Sequence, residues 1–308
     1  MQKSRNGLLE LYRVILSFWP MYFHGFFIVK DNGTFSVAQL TVDFFFIISG
    51  FFLLSSMEKL KDERPLVGAW KLMFSRLKPI SFTMFVAAAF NAVCMILFIR
   101  ADFLSVLFEI FCYWWYILYL TVAIGIFYLL FRLIKDKKSY AIFLALLSVS
   151  MGILHYFMEE RGFFIHEFTY VVRTFGCLAF GVLCSYIPKW KPGKLNVNAV
   201  FVAVLFPILL ILAYGEKEYW LRIVMIVLFA ALVYFSVNVN FGGKFFNILG
   251  KLSTRLYIYM ALVSMLRVLG VTDYRLLFAL DVFLSVMDLT FTYYYKKCKN
   301  LALRKQTA

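Results

Sequence analysis

Ser36-Val37-Ala38-Gln39-Leu40-Thr41-Val42-Asp43-Phe44-Phe45-Phe46-Ile47-Ile48-Ser49-Gly50-Phe51-Phe52-Leu53-Leu54-Ser55-Ser56 carries one charged side chain, Asp43. A helix needs about 20 predominantly apolar residues to cross the hydrocarbon core of a bilayer. This stretch is long enough, and its one carboxylate stands where an isolated charge is costly. Outward from it, similar runs occupy 8–29, 77–99, 114–134, 139–157, 168–187, 198–215, 219–238, 252–270 and 276–295. The chain is 63% hydrophobic, 20% aromatic and 16% charged, with a mean hydropathy of +0.81. A soluble domain carries about 25% charge, because its surface must face water. The expected fold is therefore an all-α integral membrane protein with about ten transmembrane helices, forming a single transmembrane domain over 1–308. The longest loop, 57–76, is too short for a soluble domain, and 102–112 is too short to span and is expected at the interface. The first run follows Lys3 and Arg5, contains Arg13, Pro20 and His24, and has no small-residue cleavage site after it, so it reads as a retained helix.

The net charge of +15 has two explanations. In a soluble protein it would point to nucleic acid. Here the basic residues gather in alternate short loops, as the positive-inside rule requires, and no nucleic-acid partner is expected. With the N-terminus inside, Lys59, Lys61, Arg64, Lys71, Arg132, Lys135, Lys137, Lys138 and the run from Lys296 to Lys305 all fall on the inner side. The outer side holds only Lys30, Arg100, Arg161, Lys217, Arg222 and Arg275. Both termini are thus expected to be cytoplasmic, with the basic loops meeting the lipid bilayer's anionic headgroups or an anionic cytosolic ligand. Five cysteines show no CxxC or other metal-ligand spacing, so neither a metal site nor a structural disulfide is expected.

Polar residues inside apolar runs mark cavities or sites. The first run holds Glu10, Arg13 and His24. Arg13 and His24 are eleven residues apart, so they share a helix face about 16 Å apart along the axis. Pro20 cannot donate to the Leu16 carbonyl, which opens space one turn before His24. In the second run Asp43 lies at about the depth of His24 and shares a face with Gly50, beside Ser49. An Asp next to a His holds the ring in one tautomer and stabilises its protonated form. The alternatives are a packed, hydrogen-bonded His24 and a structural Asp–His or Asp–Arg pair. Arg76, Lys78 and Pro79 open the third helix, where topogenic charges are the default reading. Arg173, Arg255, Asp281 and Asp288 read as structural intramembrane charges, with Asp281 and Asp288 on one face to pair with Arg255. His155 and His166 flank an outer loop and are expected to be solvated. Trp114-Trp115-Tyr116 reads as part of an interfacial aromatic belt.

Val42-Asp43-Phe44-Phe45-Phe46-Ile47-Ile48-Ser49-Gly50-Phe51 resembles the "VDxFFxxSGF" run of the membrane-bound acyltransferase 3 family. Arg13 and His24, ten residues between them, resemble that family's Arg/Lys–x10–His motif. Arg76-Leu77-Lys78-Pro79 is similar to its Arg-x-x-Pro, and Trp114-Trp115-Tyr116-Ile117-Leu118 to its "WFL" segment. Leu249-Gly250-Lys251-Leu252-Ser253 with Leu256-Tyr257-Ile258 resembles its late "LGxxSYxxYLxH" motif, although Thr254 and Met260 stand in place of a Tyr and the final His. Only Arg76 is in register for the two basic residues that often precede the third-helix Pro, since Met73 occupies the earlier position.

The resemblance implies a ten-helix O-acyltransferase of a cell membrane, bacterial by analogy. It would move an acetyl group from acetyl-CoA to a hydroxyl of a carbohydrate acceptor such as a surface polysaccharide. It implies His24 as catalytic base, supported by Asp43, and Arg13, Arg76 and Lys78 against the anionic acyl-CoA. Glu10, Ser49, Ser253 and Tyr257 are further expected support, with an oxyanion stabiliser among Ser49, Ser253 and Tyr257. Direct transfer and an acetyl-His intermediate both remain open. Two readings compete: a polytopic transporter or glycan flippase, which explains the helices and buried charges equally well, and an inactive family member.

Overall fold

A computed structural model describes residues 6–25, 32–100, 102, 104–105, 114–160, 166–188, 197–214, 219–237, 239, 243–271 and 273–306. Among these residues there is no strand. The helices are α1 (Gly7–Gly25), α2 (Asn32–Lys59), α3 (Pro65–Leu77), α4 (Ser81–Cys94), α5 (Trp115–Leu133) and α6 (Lys137–Glu160). They continue with α7 (His166–Cys184), α8 (Val197–Tyr214), α9 (Tyr219–Val237), α10 (Lys244–Val268) and α11 (Tyr274–Gln306). Each expected segment coincides with a helix over most of its length. Among the described residues, six stretches are long and apolar enough to cross a membrane: Gln39–Lys59, Ser81–Phe98, Trp115–Leu133, Lys137–Met158, Trp220–Val237 and Arg275–Tyr295. Phe168–Cys184 and Val197–Leu212 are shorter apolar helical stretches.

The burial pattern is that of a protein dissolved in lipid. Along α6, Ile142, Leu146, Val149, Ile153 and Phe157 face outward as one exposed apolar stripe at helical spacing. Phe82, Phe85, Phe90, Val93 and Leu97 do the same around α4, and Val197, Val200, Val204, Ile208 and Ile211 on α8. Meanwhile Glu10, Asp43, Asn91, Arg173, Arg222, Arg255, Asp281 and Asp288 are all buried. Exposed apolar patches of this extent require an apolar solvent. Several apolar helices, with charges sequestered between them, make this a multi-pass membrane protein.

Close helix contacts organise the interior. α2 and α7 run in the same direction and cross where Gly50 meets Gly181. A Cβ on Gly50 would strike the Leu178 carbonyl and lie 3.1 Å from the Gly181 Cα, and one on Gly181 would strike the Ile47 carbonyl. Small residues at such crossings let backbones approach in the absence of a hydrophobic driving force. α1 lies along α10, and α11 packs against α10 and also touches α1, where Phe18 stacks on Phe278 at 5.7 Å. Asn6 caps α1 by accepting from the Leu8 and Leu9 amides, both at 3.1 Å. Its amide nitrogen donates to the Ser236 carbonyl at the end of α9 at 2.7 Å.

One expectation changes. The 57–76 loop contains a helix, α3, with Pro65 at its start, where a missing amide hydrogen costs nothing. Gly68, Ala69 and Leu72 pack inward, while Leu66, Trp70 and Phe74 stay exposed. The preceding turn is pinned by α5: Tyr128 donates to the Leu60 carbonyl at 2.5 Å and Arg132 to that of Glu63 at 2.7 Å. α4 closes through a π-helical turn, Met95–Ile99, ended by Arg100 in the left-handed region at φ 55°. Most of the 102–112 stretch, expected at the interface, lies outside the described residues.

Candidate functional site

A donor-rich centre forms where α1, α2, α5 and α10 meet, with the end of α3 beside them. Glu10 and Arg13 lie one turn apart on α1 and are joined by an Arg13 Nη1–Glu10 Oε2 bond of 3.1 Å. Gly250 of α10 leaves room for that carboxylate, since a Cβ there would overlap it. The motif glycine thus serves α1 packing at this position. Arg13 Nη2 lies 3.5 Å from Thr254 Oγ1, so the residue that departs from the late motif meets the guanidinium directly. The Arg13 side chain remains 28% exposed, and its Nε is buried with no partner among the described residues.

Tyr116 completes this centre. It sits near the guanidinium groups of both Arg13 and Arg76, and its hydroxyl lies beside that of Ser49. Tyr257 packs edge-on against it at 5.3 Å, with its hydroxyl near the Tyr116 backbone. That contact falls in the first turn of α5, where helix amides have no partner within the helix. Trp114 packs in the same cluster as Tyr257, and its buried Nε1 has no acceptor among the described residues. Among the described residues the centre therefore gathers two guanidinium groups, four hydroxyls, two unsatisfied N–H donors and one carboxylate. Chemically it suits an anionic ligand rich in acceptors, or a carbonyl gaining negative charge.

The expected site residues divide. Arg13, Glu10, Arg76, Ser49 and Tyr257 come together around Tyr116. Ser253 is buried but donates to the Gly250 carbonyl of its own helix at 3.0 Å. Lys78 is exposed at the α3 C-cap. His24 belongs to the last turn of α1, and its side chain lies outside the described residues. Tyr116 and Thr254 are additions. Tyr116 stood hidden in a Trp-Trp-Tyr run that reads equally well as an aromatic belt.

Asp43 lies in a second centre, and its partners are arginines. Arg173 donates to Asp43 Oδ1 through Nε at 3.1 Å and Nη2 at 2.9 Å, and Arg222 Nη2 donates to Oδ2 at 2.9 Å. Gln39 closes the ring: its carbonyl accepts from Arg173 at 2.8 Å and its side chain from Arg222 at 3.1 Å. His155 stands beside all three ionised groups. It is only 4% exposed, which corrects the expectation of a solvated histidine. Arg222, read from sequence as an outer-loop charge, is buried as well. Both errors share a cause: each residue sits near a helix end in sequence, while the bundle packs neighbouring helices around those ends.

A third centre joins α4, α10 and α11. Asp288 Oδ2 accepts from Arg255 Nε at 2.8 Å and from Thr83 Oγ1 at 2.6 Å, and Arg255 also reaches Thr292 at 3.2 Å. The expected Arg255 pairing holds for Asp288 only. Asp281 accepts a long 3.4 Å bond from Ser285, and its other oxygen has no partner among the described residues. No protein-family model, curated protein or solved structure matches this chain.

Proposed function

We propose that the protein is a membrane O-acetyltransferase that moves an acetyl group from acetyl-CoA to a hydroxyl of a cell-surface polysaccharide or its lipid-linked precursor. The observation that carries the reading is the Arg13–Tyr116 centre: two guanidinium groups and unsatisfied buried donors, opening through a partly exposed Arg13. Arginine engages phosphate through paired, charge-assisted hydrogen bonds, and CoA supplies phosphates and a thioester carbonyl. The resemblance of the Arg13–His24 and Val42–Phe51 motifs supports the same reading. In this proposal ten helices span a bacterial cytoplasmic membrane, both termini are cytoplasmic, and Arg13 lies nearer the cytoplasmic end of α1 than His24. Their separation of eleven residues covers about 16 Å of one helix, a distance that an extended pantetheine arm bridges. His24 takes the proton of the acceptor hydroxyl as its oxygen attacks the thioester carbonyl. The new C–O bond forms, the C–S bond breaks, and the proton passes to the leaving thiolate. Asp43, bound by two arginines, contributes by fixing the helices around this path.

The test uses membranes with equal amounts of wild type, Arg13→Gln and His24→Ala, supplied with radiolabelled acetyl-CoA and an acetylatable glycan. Wild type should transfer label to glycan hydroxyls and His24→Ala should not. Arg13→Gln should raise KM for acetyl-CoA by about tenfold, the value of one charged hydrogen bond. If wild type neither transfers acetyl groups nor hydrolyses acetyl-CoA, the reading is wrong.

A further inference from the structure

Two turns meet at one end of the bundle, where three of the apolar stretches stop. Gln39–Lys59 and Trp115–Leu133 end there, and Lys137–Met158 begins there. The turn after α2 is held to the end of α5 by the Tyr128–Leu60 and Arg132–Glu63 bonds. Lys137, at the start of α6, reaches Glu58 at 3.0 Å. Residues 58–64 and 132–138 thus form one surface at the level of the lipid headgroups. They hold seven basic and four acidic side chains. Three of the acids are committed: Glu58 to Lys137, Glu63 to Lys71 of α3, and Asp136 to Ser139. Lys59, Lys61, Arg64, Lys135 and Lys138 are exposed and make no ion pair among the described residues. Asp62 is the one carboxylate of the two turns left to offset them.

α3 starts from this surface and slants inward along α5. Its Gly68 lies against the Tyr128 hydroxyl and its Met73 against Gly125. Tyr128 and Gly125 are five and eight residues in from Leu133, which is about 7.5 and 12 Å below the boundary. On the outward side of α3, Leu66, Trp70 and Phe74 recur every fourth residue as one stripe, each at least half exposed. The Trp70 and Phe74 rings pair at 4.9 Å. Positive charge therefore stands at the level of lipid phosphates, and an apolar stripe with a tryptophan descends from it to the level of acyl chains. A soluble anion gains nothing from that stripe, and a second copy of the chain would bring like charge against this surface. We infer that the two joined turns and α3 form a docking site for an anionic phospholipid, its headgroup on the basic turns and its acyl chains along Leu66, Trp70 and Phe74. The basic turns lie at the opposite end of α3 from Arg76, and none of these residues belongs to the Arg13–Tyr116 centre. The inference therefore stands whether or not the protein transfers acetyl groups.

The experiment uses the purified full-length protein in detergent, titrated with phosphatidylglycerol, with phosphatidylcholine or with inorganic phosphate. Bound lipid is counted by native mass spectrometry, and the unfolding midpoint is recorded alongside. Wild type should retain phosphatidylglycerol in preference to phosphatidylcholine, and its midpoint should rise with the anionic lipid but not with phosphate, as binding to the folded state requires. Lys61→Gln, Arg64→Gln, Lys135→Gln and Lys138→Gln combined should weaken phosphatidylglycerol binding by at least about tenfold, since each basic residue near an anionic headgroup contributes to the attraction. The same number of charges removed from the C-terminal run Lys297, Lys299, Arg304 and Lys305 should leave it unchanged. Trp70→Ala, which alters no charge and sits on an exposed face, should weaken it severalfold through lost apolar contact. Equal retention of the two lipids, a midpoint rise with phosphate alone, an equal loss in the C-terminal variant, or wild-type binding by Trp70→Ala overturns the inference.

Discussion

At the scale of single residues, the buried ion pairs decide which substitutions are informative. Asp43 binds two arginines, and removing it leaves two guanidinium groups in a low-dielectric interior. Breaking one side of such a network costs about 3–5 kcal/mol. Asp43→Ala should therefore lower the recovery of folded protein from membranes, as measured by monodispersity in size-exclusion chromatography. Loss of activity in that variant reports on folding before it reports on chemistry. Tyr116→Phe is the sharper probe. It keeps the ring between Phe46 and Tyr257 and deletes only the hydroxyl beside Ser49. Its unfolding free energy should stay within about 1 kcal/mol of wild type, the net value of one neutral hydrogen bond. On the proposed function its acetyl-transfer rate should fall at least tenfold, and an unchanged rate would remove Tyr116 from the site.

At the scale of the elements, glycines and caps carry the predictions. Gly50 and Gly181 hold two backbones together, with no flexible side chain available to yield. Gly50→Ala should cost at least about 1–3 kcal/mol in unfolding experiments, as overpacking does. Gly152 has open space where a Cβ would go, on the outward side of α6. Gly152→Ala should be neutral or stabilising by about 0.5–1 kcal/mol, since a mid-helix glycine is entropically costly. The cap of α6 gives a pH dependence. Asp136, in the basic turn before α6, accepts from the Ser139 amide at 2.7 Å and the Ser139 hydroxyl at 2.8 Å. The backbone bond, then the hydroxyl bond, holds its carboxyl below the usual carboxylate range. The folded value lies below the unfolded one, so the cap contributes fully above the unfolded value. The contribution disappears as pH falls through the lowered folded value. Amide exchange in the first turn of α6 should thus be slower in wild type than in Asp136→Ala at pH 6, with the difference vanishing in strong acid.

At the scale of the whole molecule, the outward apolar stripes and inward charges make membrane insertion the defining constraint. Val149 is 61% exposed near the middle of α6. Val149→Arg places a charge in the hydrocarbon, at about 2.5–3.5 kcal/mol by insertion scales. The variant should show a reduced membrane-inserted fraction in a protease-protection assay. The same substitution at Leu133, exposed at the end of α5, should insert normally, because an arginine there snorkels to the interface.

The sequence by itself determined the helical segments and the kind of solvent they face, because both follow from local composition: some 20 apolar residues in a row leave few alternatives. It also singled out Glu10, Arg13, Ser49, Arg76 and Tyr257 one by one, since polar groups in apolar runs are conspicuous. It did not reveal α3, whose short amphipathic pattern and charged flanks read as a loop. Only the tertiary structure decided partnership. Asp43 meets Arg173 and Arg222, 130 and 179 residues away, and Arg13 meets Thr254, 241 residues away. Tyr116 and His155 changed from belt and loop residues into a half-buried and a buried member of polar centres for the same reason. Hydropathy is a property of each segment alone, whereas the pairing of charges depends on which helices pack together.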